Sequence, residues 1–393
     1  MGSPYPLWSL GFRPFFLGAA LFAIVSMGAW LGGYRFGLPL DVPGISLSQW
    51  HAHEMVYGYA LAVIAGFLLT AAQNWTERET ASGGSLALMF AAWAAARVLM
   101  LFGTSLLGLA AVADIAFMLA LAVAVARPIL QVRQKRQAPV LLILALLLTG
   151  NLLFYLGAFG WVPRGVHLGV HGGLYLVLGM VLFMGSRVIP FFTERGVGYA
   201  VQLRKPRWND HASAAVFPLF LLSEVIMPQH VLGAALAAVL FVLNSLRLAG
   251  WYTMGIWQKP LLWGLFAAFI MINFGFLLRA LTLVTAIPGF LPIHAFAVGG
   301  IGIVTVAMMA RVSLGHTGRS VHQPPRLVWL LLLGMVLAAM IRVFLPLVDL
   351  TRYTLWVTLS GLAWILSFAL FAIIFIPMLA QPRAEPRVEP PAD

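Results

Sequence analysis

Cysteine is absent from the 393 residues, and charge is scarce: only 9% of the chain is Asp, Glu, Lys or Arg. The first absence excludes disulfides, thiolate-held iron–sulfur clusters, the Cys-x-x-Cys-His attachment of c-type haem and cysteine-rich copper relays. The second excludes a water-soluble chain, since soluble domains carry about 25% charged residues. Also missing are a phosphate-cradling glycine loop after a strand, a Ser–His–Asp order, and a basic–aromatic surface for nucleic acid. What is there is apolar. Hydrophobic residues make up 62%, in runs of about 20 residues, long enough for a helix to cross a bilayer. They lack the ten-residue alternation of a barrel strand. The chain therefore reads as an all-α integral membrane protein.

Hydropathy predicts twelve spans: Pro14–Leu31, His51–Gln73, Ser85–Phe102, Leu106–Ala126, Pro139–Phe159, His167–Val188, Ala212–Met227, Val231–Leu248, Leu261–Val284, Ile293–Met309, Leu327–Phe344 and Leu355–Leu379. Met1–Pro6 lacks a basic segment and the first apolar run is long enough to stay, so no cleaved signal is expected. The net charge of +12, from 24 Lys/Arg against 12 Asp/Glu, gathers at helix ends, where it orients the chain and meets anionic lipid. The loop after span four carries Arg127, Arg133, Lys135 and Arg136; that after span six carries Arg195, Arg204, Lys205 and Arg207. Lys259, Arg319, Arg383 and Arg387 fall on the same side, against only Arg35, Arg164 and Arg352 on the other. The positive-inside rule then puts both termini in the cytoplasm. The membrane domain is expected to cover residues 1–379, with a proline-rich disordered tail over 380–393.

A threefold repeat emerges from the even-numbered spans. His53, His171 and His294 precede Thr76, Thr193 and Thr317 by 23, 22 and 23 residues, and each Thr is followed two residues later by Arg78, Arg195 or Arg319. A helix of that length rises about 35 Å and so crosses the membrane. The repeats are expected at about 1–136, 137–258 and 259–379, each of four spans. Simple cytoplasmic anchoring accounts for the arginines.

Five histidines thereby collect at the outer starts of three equivalent helices: His51 and His53, His167 and His171, and His294. One such histidine reads as a wetted interfacial ring, but five together suggest ligands, because imidazole binds haem iron, copper and zinc. His167 and His171 are four apart, on one face about 40° apart, and suit one metal or two neighbouring ones. His51 and His53 lie about 200° apart on an ideal helix and should not share an ion. Glu54 is placed to orient an imidazole or relay a proton, while Asp114 and Glu224 read more simply as helix–helix hydrogen-bonding groups. His211, His230, His316 and His322 read as solvated ends or loops. Glycines at 66, 172, 173, 179, 299, 300 and 302 allow close helix approach, and also make room for a flat macrocycle. Trp50 and Trp161 fall where an aromatic belt would lie; either suits contact with haem propionates, with Arg164 as a cation.

The chain resembles the NnrS family, membrane proteins of haem and copper linked to bacterial defence against nitric oxide. The likeness rests on Leu10-Gly11-Phe12-Arg13-Pro14-Phe15-Phe16, on Trp50-His51-Ala52-His53-Glu54-Met55, and on Gly58-Tyr59 with Ala65-Gly66-Phe67-Leu68-Leu69-Thr70 leading to Asn74-Trp75-Thr76. It continues in Met309-Ala310-Arg311-Val312-Ser313-Leu314-Gly315-His316-Thr317-Gly318-Arg319 and spans nearly the whole chain. A looser similarity joins His171-Gly172-Gly173-Leu174-Tyr175 to a His-Pro-Glu-Val-Tyr motif in the catalytic subunit of haem–copper oxidases. Span seven, however, lacks that family's histidine pair, and span ten has one histidine where two are expected.

These resemblances imply a protein of the bacterial cytoplasmic membrane holding one or two b haems, with copper as a further option, that binds or transforms nitric oxide. The expected axial ligands are His51 or His53 on one side and His294 on the other. A second centre would use His167 and His171 with the remaining histidine of span two. Tyr175, Tyr57 and Glu54 are the expected proton or hydrogen-bond partners of an oxidoreductase. The chain has no electron relay of its own, so a quinol or a haem-protein donor is expected. A non-catalytic haem gas sensor, an electron-transfer subunit and a twelve-helix transporter remain open as alternatives.

Overall fold

The computed structural model describes residues 6–39, 44–102 and 106–384. Most of the expected tail lies outside them. Among the described residues there is no strand. Twelve long helices coincide with the apolar runs: α1 Phe12–Phe36, α2 Leu47–Thr76, α3 Gly83–Leu101, α4 Leu107–Gln131, α5 Ala138–Ala158, α6 Gly165–Gly196, α7 Arg207–Ile226, α8 Val231–Trp251, α9 Pro260–Leu281, α10 Phe290–His316, α11 Leu327–Val343 and α12 Tyr353–Ala380. Eleven are long and apolar enough to cross a membrane. The exception is α7, whose first turn spends its length on Arg207, Asn209, Asp210 and His211.

The helices divide into inner and outer sets. In α2, 89% of the most apolar window is buried within the protein, and in α10 72%, against 33% in α3 and α4. A helix apolar all round can face lipid or protein; small residues decide which. Gly66 of α2 takes Phe16 against its backbone, Gly299 of α10 takes Met271, and Gly185 of α6 takes Phe269. These three glycines thus accommodate neighbouring side chains, which is the packing use of small residues in membranes, whereas Gly172 of α6 borders open space. Helices α2, α6 and α10 touch one another pairwise.

Two of these three helices share a local irregularity. Directly after its histidines, α2 widens into π-type turns over Glu54–Ala60, and α10 does the same over Ala295–Gly302. Such insertions are uncommon and are frequent at functional sites, because they rotate the two flanking stretches of helix relative to each other.

Candidate functional site

The start of α2 is fixed by a capping box. The Ser46 hydroxyl accepts from Gln49 N at 3.3 Å, and Gln49 Oε1 accepts from Ser46 N at 2.7 Å. This pins the first turn and hence the direction of His51. The start of α6 is set by close approach to α5. A Cβ on Gly165 would fall 2.5 Å from the Leu153 carbonyl oxygen, and one on Gly169 2.6 Å from that of Gly150. Only glycine allows this contact, which carries His167 and His171 on the opposite face of α6.

Between the starts of α2, α6 and α10 lies a cavity of about 500 Å³, and His51, His167, His171 and His294 all line it. Ligand sites run about 300–1,000 Å³. Its walls otherwise are largely aliphatic and aromatic, including Trp30, Tyr34, Tyr59 and Trp364. Trp30 stacks on His51 with ring centroids 4.5 Å apart, and Tyr34 stacks on Trp30 at 5.1 Å.

Hydrogen bonds decide which ring nitrogens carry lone pairs. Backbone carbonyls only accept, so a nitrogen facing one bears the proton. His171 Nδ1 faces the His167 carbonyl at 3.2 Å, and His167 Nε2 faces that of Val225 at 3.2 Å. Their lone pairs are therefore on His171 Nε2 and His167 Nδ1, and the two rings lie 4.2 Å apart. His294 Nδ1 donates to the Phe290 carbonyl at 2.7 Å. Its Nε2 accepts from Arg342 Nη2 at 3.0 Å. His51 Nδ1 is buried without a partner. A carbonyl on the far nitrogen is the usual support of a metal-ligating imidazole.

His53 faces away from the cavity into a buried cluster of charges. Its Nδ1 meets Glu54 Oε1 at 2.8 Å and its Nε2 meets Asn151 Oδ1 at 2.9 Å. Arg97 donates from Nη1 to Glu54 Oε1 at 2.7 Å. Its Nη2 lies 2.5 Å from Asp114 Oδ2, close as an ion pair though not aligned as a hydrogen bond. Asp114 Oδ2 also accepts from Asn151 Nδ2 and the Tyr155 hydroxyl, each at 3.0 Å. Both nitrogens of His53 are thus engaged by side-chain oxygens, and neither faces the cavity. Arg97 and His53 lie between two carboxylates, Glu54 and Asp114.

The other expected residues stand off the cavity wall. Glu54 is consumed by Arg97 and His53. The Tyr57 hydroxyl donates to the Gly169 carbonyl at 2.8 Å, and that of Tyr175 to Glu224 at 3.4 Å, beside the Glu224–Arg279 ion pair. Trp50, expected in an interfacial belt, is instead buried against Met100, Phe154 and Tyr155, whereas Trp161 is exposed. Arg164 is an exposed residue at the start of α6 that donates to the Ile226 carbonyl at 3.1 Å. The cation at the cavity is Arg342 of α11. It is buried, it donates to the Tyr353 hydroxyl at 2.7 Å as well as to His294, and its Nη1 has no partner. Sequence reading missed Arg342, Trp30 and Tyr34, which come from α11 and α1. An arginine inside an apolar run was the one available signal for Arg342.

Among the described residues, no three His, Asp or Glu side chains gather tightly enough to hold a metal ion between them. The cavity's histidines include one close pair, His167 and His171, and no group of three. Together, eleven apolar helices and this chamber define a multi-pass, all-helical membrane protein with a histidine-lined cavity at one end of its bundle. The chain belongs to the NnrS family: the family described as NnrS protein matches residues 6–383, nearly its whole length. No curated protein matches it.

Proposed function

We propose that the protein is a haem protein of the bacterial cytoplasmic membrane that binds or transforms nitric oxide in defence against nitrosative stress. Its centre would occupy the histidine cavity, with twelve helices across the membrane and both termini in the cytoplasm, as the basic loops favour. The observation that carries the haem reading is the spacing of the donors. A bare zinc ion takes three or four protein ligands, and no such cluster exists among the described residues. Haem brings four nitrogens of its own and asks the protein for one or two axial imidazoles. Four imidazoles lining about 500 Å³, no three of them gathered, suit the second demand.

The residues fit the group. His51 and His294 stand as the axial candidates on α2 and α10, and His167 with His171 offers two further lone pairs for a second centre, haem or copper. Arg342, with a free Nη1 at the wall, suits a carboxylate such as a propionate. For His294 to ligate, Arg342 Nη2 must leave its Nε2, so the two functions are coupled. When bound, haem would supply an iron able to coordinate nitric oxide, with only one of His51 and His294 as its protein ligand in that state. The chain's own part is to present imidazoles, three of them held by a backbone carbonyl on the other ring nitrogen, to enclose the gas in an apolar wall, and to place Tyr59 and Tyr353 along its edge. Electrons for turnover would come from a quinol or a haem-protein donor.

Purified after haem-replete expression, the protein should show a Soret band that His51→Ala and His294→Ala remove or shift. Its absence from the wild type would sink the proposal. Anaerobic consumption of nitric oxide by the reduced protein then separates an enzyme from a sensor with the same ligands.

A further inference from the structure

A second cavity succeeds the first along the bundle. Ala60, Val177 and Ile301 line the histidine cavity; Val63, Met180 and Val304, three residues further along α2, α6 and α10, line the next. Its volume is about 80 Å³, several times the ~10–15 Å³ that one water-sized molecule needs. Apart from Thr305, its lining side chains are apolar or glycine. The Thr305 hydroxyl is already engaged: it donates to the Ile301 carbonyl at 2.6 Å and so accepts from the Tyr59 hydroxyl at 2.6 Å. Tyr59 belongs to the wall of the first cavity and Thr305 to that of the second, so this hydrogen bond is the partition between them.

A buried water needs two to four polar partners, and this chamber offers none free. Dry apolar cavities of such a kind take up xenon and small apolar molecules. Phe67, Met184 and Met308, one from each helix, line it and are half-buried. Two of the three are methionines, whose unbranched side chains shift easily. A volume of this size is too short for more than the tip of an acyl chain, but holds a molecule of diatomic dimensions.

We propose that this chamber binds small apolar gas molecules taken from the bilayer, one helical turn from the histidine cavity. The inference does not depend on haem being present. Crystals of the full-length protein under xenon pressure should show anomalous density between Val63, Met180 and Val304. That density should fall to background in Val304→Phe, whose ring fills the space, and also in Ile64→Phe, which fills it from α2 should the first variant not fold. Ordered water in the chamber, no xenon there in the wild type, or unchanged xenon in a folded filling variant would each overturn the proposal. A missing Soret band would leave the xenon result untouched, so the two readings fail separately.

Discussion

His51 and His53 are two residues apart on one helix and occupy opposite kinds of place. His51 faces a cavity, stacks on Trp30 and keeps an unpartnered nitrogen. His53 is fully buried, packs against Phe154 with centroids 3.9 Å apart, and spends both nitrogens on Glu54 and Asn151. The contrast separates histidines that can ligate from histidines that hold a fold together. An imidazole on a cavity wall with an unpartnered nitrogen is chemically available, whereas one with both nitrogens engaged inside a charge cluster is structural. Burying four ionisable groups is costly unless each is paired, and here the cluster ties α2 to α3, α4 and α5 through Arg97, Asp114 and Asn151.

The sharpest way to break the comparison is to unbalance the cluster. Arg97→Ala leaves Glu54 and Asp114 facing each other's neighbours without their shared cation, at a cost of about 3–5 kcal/mol. The expected outcome is loss of folded protein on size-exclusion chromatography in detergent. The combination Arg97→Leu, Glu54→Gln and Asp114→Asn, which removes both carboxylates along with the arginine they share, should recover much of it. A wild-type melting curve for Arg97→Ala would show that the cluster is not a structural tie.

Next in size is the exchange of the two histidines' roles. His53→Ala leaves hydrogen-bonding groups of Glu54 and Asn151 unsatisfied, about 1–3 kcal/mol each, and should lower the melting temperature while keeping the cofactor's absorbance per folded molecule. His51→Ala should do the reverse: near-normal melting of the cofactor-free protein, with the absorbance lost or shifted. If His53→Ala alone abolishes the absorbance in folded protein, the assignment of lone pairs is wrong.

Much of this is legible in the sequence, in a particular way. The apolar runs place the helices because a bilayer demands about 20 such residues. The recurrence of histidine before Thr-x-Arg selects α2, α6 and α10, and the roughly 200° between His51 and His53 already says that they part company. What periodicity does not carry is the set of contacts between helices distant in sequence. Arg342 reaches His294 across 48 residues, and Trp30 reaches His51 from α1. Arg164, beside the expected site in sequence, lies exposed at the start of α6 and bonds to Ile226 instead. The π-type turns after His53 and His294 are likewise silent, since no residue type marks them. And α7, expected as a span, is a helix whose polar first turn keeps it below the apolarity of the others.

Arg342 offers a smaller and more selective effect. It is the cavity's buried cation, and its Nη2 is held by His294 and Tyr353 while Nη1 is free. Hydrogen bonds to charged groups contribute about 1.5–3 kcal/mol, so Arg342→Ala should speed transfer of bound haem to an apo-globin acceptor by roughly tenfold to a hundredfold. Arg164→Ala, outside the cavity, should leave that rate unchanged. Equal effects from both would erase the distinction between the wall of the site and its surroundings.

The smallest effect tests whether Tyr57 is a strut or a proton donor. Its hydroxyl donates to the Gly169 carbonyl at 2.8 Å, and a Cβ on Gly150 would come within 2.6 Å of that same hydroxyl oxygen, with nothing else closer than 3.7 Å. The tyrosine thus wedges against the seam between α5 and α6, where glycine is required because the hydroxyl fills the space. Tyr57→Phe loses one hydrogen bond, about 1 kcal/mol, and Gly150→Ala overpacks the seam by about 1–3 kcal/mol. Removing the hydroxyl removes the clash, so the double variant should be less destabilised than the sum of the two, a coupling readable by thermal unfolding. Nitric oxide binding by Tyr57→Phe should stay as in the wild type, because the oxygen points into the seam and away from the cavity. Additive destabilisation would mean the seam relaxes without the tyrosine, and a selective loss of turnover with stability intact would return Tyr57 to the chemistry.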